Sequence, residues 1–233
     1  MKKLIAAIAL ASVGAASAFA QGTISVYNIS ATFATHTNSA FYSSSLNGVA
    51  NTTQGLTTTT ANGWYYALLV QSSVNTVTTV NPLDSGWSVG MMATNYLLAG
   101  GIRGNGGSAG AAVTGWAAPT GATYSSAATQ DYYVLVGWSA SLGSTWSEVA
   151  AQLESGSWVA DGFFGVSALG EGYAGGGPNS LTAPNIFGTG VNAGGLTSGL
   201  TEYFVTPVPE PTTMALAAIG GASLLLFRRK KQA

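Results

Sequence analysis

The sequence predicts a mainly β fold: an antiparallel β-sandwich, jelly-roll-like, with one short helix. Short runs of β-branched and aromatic residues recur along the middle of the chain, and joints containing Gly, Asn and Pro separate them. Only 6% of the residues are charged, against roughly 25% in ordinary globular domains, whereas 47% are hydrophobic. This composition can fill a core, so the low charge does not indicate disorder. A signal helix is expected before the β domain and a transmembrane helix after it.

Six segments carry the strand pattern, because Val, Ile, Thr, Tyr, Phe and Trp suit a pleated surface. They are residues 22–29, 64–71, 74–80, 131–138, 158–169 and 202–206. Turns or loops are expected at 81–86, 99–110 and 171–180, and a polar, Thr-rich loop at 47–62. The order of the strands within a sheet is not predicted.

The stretch TWSEVAAQLESG has the features of a helix instead. Thr145 and Glu148 have the spacing of a capping box, and Gly156 suits the C-terminal cap. Three apolar side chains fall on one face: Trp146, Val149 and Leu153. We therefore expect one short helix over residues 145–156.

The first 20 residues, MKKLIAAIALASVGAASAFA, have the parts of a secretory signal peptide. Lys2 and Lys3 form the charged front, and an uninterrupted apolar stretch follows. Ala18 and Ala20 place small residues at both cleavage-site positions. Gln21 is therefore the expected first residue after cleavage by signal peptidase.

The chain ends in an apolar stretch and a basic cluster. Residues 212–227 carry no charge and are expected to form a transmembrane helix, although a full bilayer core asks for about 20 residues. The cluster consists of Arg228, Arg229, Lys230 and Lys231. Basic residues stay on the cytoplasmic side, so the body of the protein is expected outside, which is the topology that the signal peptide also predicts.

A short motif precedes this apolar stretch: Val208, Pro209, Glu210 and Pro211. The two prolines hold the segment extended and accessible. Motif, apolar helix and basic cluster, in this order, resemble the PEP-CTERM sorting signal of Gram-negative bacteria. The resemblance implies processing near the motif by a membrane-embedded exosortase, inner-membrane anchoring in transit, and delivery to the cell surface or outside the cell, often alongside exopolysaccharide production.

The two ends divide the chain into three parts. They are a signal peptide (1–20), a β-rich extracytoplasmic domain (21–206) and a sorting signal (207–233). The middle part carries one basic residue, Arg103, against seven acidic residues, a formal charge of −6. Nucleic-acid binding requires many basic side chains, so that function is excluded.

Few residues with catalytic or metal-binding chemistry are present. The chain has no cysteine, which excludes disulfides and thiolate chemistry. The single histidine, His36, is expected to be a surface or strand residue rather than part of a catalytic triad or a metal site. We therefore expect no cofactor and no metal.

Five of the six tryptophans divide into two groups, and the sixth, Trp146, lies in the predicted helix. Trp64, Trp138 and Trp158 lie in predicted strands and are expected in the core. Trp87 and Trp116 lie beside Gly-rich segments and are the candidates for an exposed platform on which sugar rings stack.

Three functions remain open at this stage. The first is a non-catalytic protein of the cell surface or extracellular (biofilm) matrix with a structural or adhesive role. The second is a carbohydrate-binding module for matrix polysaccharide. The third is a secreted glycoside hydrolase, which needs two carboxyl groups about 5–9.5 Å apart. Since helix capping accounts for Glu148 and a turn for Asp84, we expect no enzymatic activity.

Overall fold

The computed structural model describes residues 21–28, 33–38, 57, 61–72, 80–124, 130–188, 195–207, 216 and 219. Six predicted features lie wholly or largely outside the described residues. They are the signal peptide with Ala18 and Ala20, the polar loop at 47–62, the strand at 74–80 apart from Val80, the sorting motif Val208 to Pro211, the transmembrane helix at 212–227, and the basic cluster Arg228 to Lys231.

Eleven strands and one α-helix are present among the described residues. The strands are β1 (Gln21–Ile24), β2 (Tyr27–Asn28), β3 (Thr35–Thr37), β4 (Trp64–Ser72), β5 (Ser88–Asn95), β6 (Ile102–Gly104), β7 (Ala111–Ala117), β8 (Asp131–Ser139), β9 (Gly162–Val166), β10 (Gly170–Gly172) and β11 (Leu200–Val205). The helix is α1 (Trp146–Ser155), and short 3-10 turns occupy Gly107–Ala109 and Ala140–Leu142. The prediction of a mainly β fold with one helix is confirmed.

Nine strands form one sheet, in the order β2-β6-β5-β4-β8-β9-β11-β3, with β10 paired to β8 beside β9. All neighbours in this sheet are antiparallel except β11 and β3, which are parallel. β1 and β7 form a separate two-stranded antiparallel sheet. A jelly roll builds its core between two sheets of several strands, so the jelly-roll form of the prediction does not describe these strands.

The central strands β4 and β8 are buried on both faces, and their side chains alternate between two cores. Tyr66 and Leu68 belong to the core beneath the small β1–β7 sheet, which we call the β1–β7 face. Leu69, Val136 and Trp138 belong to the core beneath α1, which we call the helix face. The large sheet is therefore the middle layer of the molecule.

The helix forms as its local sequence predicts. The Thr145 hydroxyl accepts from the backbone N–H of Glu148, and the Glu148 carboxylate accepts from the backbone N–H of Thr145, which completes the capping box. Gly156 ends the helix in the left-handed conformation, with φ of 65°. Val149 is buried in the helix-face core, and Trp146 and Leu153 pack against it.

Several strands differ from the predicted ones. The segment 22–29 divides into β1 and β2, and 158–169 contracts to β9. The predicted loop 99–110 contains β6, and β3, β5 and β7 were not predicted. β5 lacks a clear strand pattern because it contains Gly90, whose missing side chain leaves room for Val113 of the β1–β7 sheet.

Among the described residues, no helix has the length and apolar character needed to cross a bilayer. The predicted transmembrane helix at 212–227 lies outside the described residues, apart from Leu216 and Ile219, which are helical and exposed.

Candidate binding groove

A straight line of side chains crosses the helix face of the large sheet, and we call it the cross-strand row. Each member lies directly opposite the next in the strand pairing, so all of them point to the same face. In order from β2 to β11, the row is Tyr27, Arg103, Thr94, Tyr65, Trp138, Phe164 and Tyr203. Five of the seven side chains are aromatic.

The helix covers the middle of this row. The Trp138 ring lies 6.0 Å from the Trp146 ring of α1, and its Nε1–H donates to the Gly143 carbonyl at 2.9 Å. Tyr65 stacks against Trp138 with ring centroids 6.3 Å apart but is only half-buried. The row therefore emerges from beneath α1 on both sides, toward Tyr65 on one and toward Tyr203 on the other.

A groove of about 480 Å³ lies on the Tyr65 side, and we call it the Arg103 groove. Its lining comes from β4, β5, β6 and the residues that precede and begin the helix. The row contributes Tyr65, Thr94 and Arg103, and the remaining lining residues are Met92, Ala93, Gly104, Asn105, Ser144 and Thr145. The groove thus combines an aromatic ring, a cation and several hydroxyl and amide groups, which is a lining suited to a polar ligand.

Arg103 is the one basic residue between positions 21 and 206. It is exposed, and its guanidinium carbon lies 5.6 Å from the centroid of the Tyr96 ring. No acidic residue of the described part of the chain forms an ion pair with it. A guanidinium held over an aromatic ring keeps the N–H groups at its edge available. Arg103 can therefore donate hydrogen bonds to an acceptor group of a ligand.

Two tyrosines lie beside Arg103: Tyr27 is its partner in the strand pairing, and Tyr96 is the ring beneath its guanidinium. The rings of Tyr27 and Tyr96 meet edge to face, with centroids 5.6 Å apart. The hydrogen bond to Tyr96 raises the pKa of the Tyr27 hydroxyl, and the positive charge of Arg103 opposes that shift. Arg103 therefore lies close enough to act electrostatically on these rings.

The N-terminus of α1 borders the groove, but its first donors are already used. The backbone N–H groups of Ser144 and Thr145 donate to Glu148 Oε2 at 2.8 and 2.9 Å. These bonds lower the pKa of Glu148 and keep it ionised. The helix end thus supplies hydroxyl groups to the groove rather than free backbone donors.

The tryptophans predicted from the sequence to form a platform lie elsewhere. Trp116 is 1% exposed and packs against Tyr133 with ring centroids 5.4 Å apart, because β7 turns it toward the core of the β1–β7 face. The prediction of an exposed Trp116 is therefore wrong. Trp87 is half-buried against the helix-face core and does not line the groove.

The tryptophans predicted to be core residues fall into two groups. Trp64 and Trp138 are buried, as predicted. Trp158 is half-buried before β9 and packs on Phe164 at 5.7 Å.

His36 lies in β3, as expected for a strand residue, and burial lowers the pKa of its imidazole. The described residues contain no group of three or more His, Asp or Glu side chains that could hold a metal ion.

One acidic residue that is not among the predicted site residues is fully buried. Glu202 of β11 is 0% exposed, and neither carboxyl oxygen has a hydrogen-bond partner among the described residues. Burial raises the pKa of this carboxyl well above its ordinary value, so it is held neutral. Oε1 fills the space that a side chain on Gly137 would take, beside the Tyr66 ring and Leu200.

A hydrogen-bonded cluster lies close to this acid. The Tyr66 hydroxyl is 3.1 Å from the Thr35 hydroxyl, which also bonds to Thr57. The sequence signal for a buried Glu202 is its place in a strand-forming run, EYFVT, where its alternation with Tyr203 puts it on the inner face.

Comparison with known proteins identifies the C-terminal segment. Residues 207–230 match the family of the PEP-CTERM protein-sorting motif, so the chain carries this motif at its C-terminus. The motif implies export, sorting to the cell surface and processing by an exosortase-type enzyme. No curated protein and no solved structure matches the chain at a significant level.

Proposed function

We propose that this exported, PEP-CTERM-bearing protein is a non-catalytic structural or adhesive component of the cell surface or extracellular matrix. The sorting motif supports this proposal, because it implies export and sorting of this β domain to the cell surface.

The placement of three acids supports a non-catalytic role. Glu148 caps the helix, Asp84 accepts a hydrogen bond from Asn81 in a turn, and Glu202 is sealed in the core. A glycoside hydrolase would need two carboxyl groups facing one cleft. These three carboxyl groups instead cap the helix, stabilise a turn or lie buried in the core.

The proposed destination is tested with a substitution in the motif. We expect Glu210→Ala to shift the protein from the cell-surface and extracellular fractions to the inner-membrane fraction, measured by immunoblotting of fractionated cells. Glu154→Ala, at an exposed position of α1, is the matched control and should fractionate as the wild type does. Unchanged fractionation of Glu210→Ala would contradict the proposal.

A second candidate function, binding of matrix polysaccharide, is favoured by the cross-strand row. Aromatic faces stack on apolar faces of sugar rings, while neighbouring hydroxyl, amide and guanidinium groups bond to sugar hydroxyls. The Arg103 groove presents Tyr65 beside Thr94, Asn105 and Arg103. Under this function the site is the Arg103 groove instead of the Trp87 and Trp116 pair.

A further inference from the structure

We propose that the Arg103 groove binds a carboxylate-bearing polysaccharide, such as one containing uronic acid units, with the sugar carboxylate paired to Arg103. This inference rests on the second candidate function, polysaccharide binding, and names the class of polysaccharide.

The first support is the state of Arg103. It is the single cation of a domain whose formal charge is −6, yet none of the seven acids of that domain pairs with it among the described residues. A planar guanidinium binds a carboxylate through two parallel hydrogen bonds, which are among the stronger hydrogen bonds in proteins. The guanidinium of Arg103 is therefore available to pair with an anionic group of a ligand.

The second support is what surrounds Arg103 along the row. Thr94 lies directly opposite it on β5, and Tyr65 lies opposite Thr94 on β4. On the other side Tyr27 lies opposite on β2. Hydroxyl groups and ring faces therefore flank the cation on both sides, which matches a chain of polyhydroxylated rings in which one ring carries a carboxylate.

The third support is the length of the site. Neighbouring strands lie about 4.8 Å apart, so Tyr65 on β4 and Arg103 on β6, two strands apart and both lining the groove, are separated by about 10 Å. A short oligosaccharide lying across the strands can contact both side chains. The inferred ligand is therefore a stretch of polymer rather than a free sugar acid.

The negative charge of the domain opposes binding of any polyanion. One acid, Glu148, lies at the edge of the groove, because its carboxylate accepts from the backbone N–H groups of the lining residues Ser144 and Thr145. At about 0.15 M salt the Debye length is about 8 Å, so distant acids are screened more than a contact pair is. Binding is therefore best measured at that ionic strength.

The test uses the full chain, purified in detergent, and isothermal titration with two probes of equal length: oligogalacturonides and neutral maltooligosaccharides. Wild type should bind the acidic probe more tightly. Arg103→Gln should weaken that binding about tenfold or more, because it removes the charge-assisted hydrogen bonds to the sugar carboxylate. Arg103→Lys should restore part of the affinity, since it keeps the charge but not the bidentate geometry.

A matched control lies at the opposite end of the row. Tyr203 is 60% exposed on β11, beyond the helix, so Tyr203→Ala should leave binding unchanged while Tyr65→Ala weakens it. Arg103 is exposed, so its variants should unfold at the wild-type temperature, which thermal denaturation checks.

The outcomes separate the two proposals. Equal binding of acidic and neutral probes, or full affinity in Arg103→Gln, overturns the carboxylate inference. If Tyr65→Ala still weakens binding in that case, polysaccharide binding by the groove survives. If neither probe binds, both the inference and the second candidate function fail, whereas the cell-surface proposal stands on its fractionation result.

Discussion

Two neighbouring rows of residues cross the large sheet one position apart, and they face opposite cores. The cross-strand row on the helix face is dominated by aromatic rings. The row beside it points to the β1–β7 face and consists mostly of small residues: Gly104, Ala93, Tyr66, Gly137 and Gly165. Along this line, the same strands therefore carry large side chains on the helix face and mostly small ones on the β1–β7 face.

The difference explains how each face is used. On the β1–β7 face, the absence of side chains at Gly137 and Gly165 lets the strand β11 and the Glu202 carboxyl approach closely, so Glu202 is fully buried. On the helix face, one ten-residue helix covers the centre of the row and leaves its ends exposed. Closure of one face supports stability, and incomplete cover of the other leaves a groove.

The largest effect should come from truncation on the closed face. Leu68 of β4 is 1% exposed in the core of the β1–β7 face. We expect Leu68→Ala to lower the free energy of unfolding by about 2–5 kcal/mol, because it removes buried surface and leaves a cavity. Urea denaturation measures this change in the free energy of unfolding. The control, Leu97→Ala at a residue 71% exposed, should change stability by less than about 0.5 kcal/mol, and equal losses would contradict the comparison.

The next effect is a pH dependence that belongs to Glu202. Burial raises its pKa in the folded protein above the ordinary value of 4.5. From about pH 4.5 up to the folded pKa, the folded state binds more protons than the unfolded chain does. The stability present below pH 4.5 is therefore lost as pH rises, by at most about 1.4 kcal/mol per pH unit for one proton.

Glu202→Gln should remove this slope, which urea denaturation at a series of pH values would show. His36 acts in the opposite direction, because its lowered pKa makes stability rise as pH increases toward 6.5. Tyr66, which faces the Glu202 carboxyl, has a raised pKa and stays neutral throughout this range. The difference between wild type and variant isolates Glu202, and two parallel curves would show that its carboxyl is not neutral in the fold.

The smallest effect concerns α1, the helix that covers the centre of the cross-strand row on the helix face. Thr145→Ala removes the hydroxyl that accepts from the Glu148 N–H, and we expect a loss of about 1 kcal/mol in the free energy of unfolding. Thr145→Ser keeps the acceptor and should lie within a few tenths of a kcal/mol of the wild type. Chemical denaturation compares the three proteins; a Ser variant as unstable as the Ala variant would argue against the cap.

The sequence predicts correctly those elements that depend on interactions between residues close together along the chain. The helix was predicted to within a residue, because its capping box and its Gly156 terminus are local. The strands β4 and β8 were also predicted, since both carry uninterrupted runs of β-formers. β5 and β7 contain Gly90 and Gly115, which weaken the strand pattern, and β7 pairs with β1, which lies far away in the sequence.

The groove could not be predicted, because its members are neighbours only through pairing. Tyr65, Thr94 and Arg103 come from three separate strands, and no local pattern sets their register. Trp116 shows the opposite error: its Gly-rich flank indicated a surface, whereas the register of β7 against β1 turns the ring inward.

The position of β11 has a consequence for the order of events during secretion. This strand ends at Val205, two residues before the matched motif begins, and it pairs with both β9 and the early strand β3. A chain that leaves the translocation channel N-terminus first cannot close the β3–β11 pair until almost its whole length has emerged. Such distant pairing is slow to form. A cut within the motif would leave β11 in the chain, whereas a cut before Leu200 would remove the strand that carries the buried Glu202.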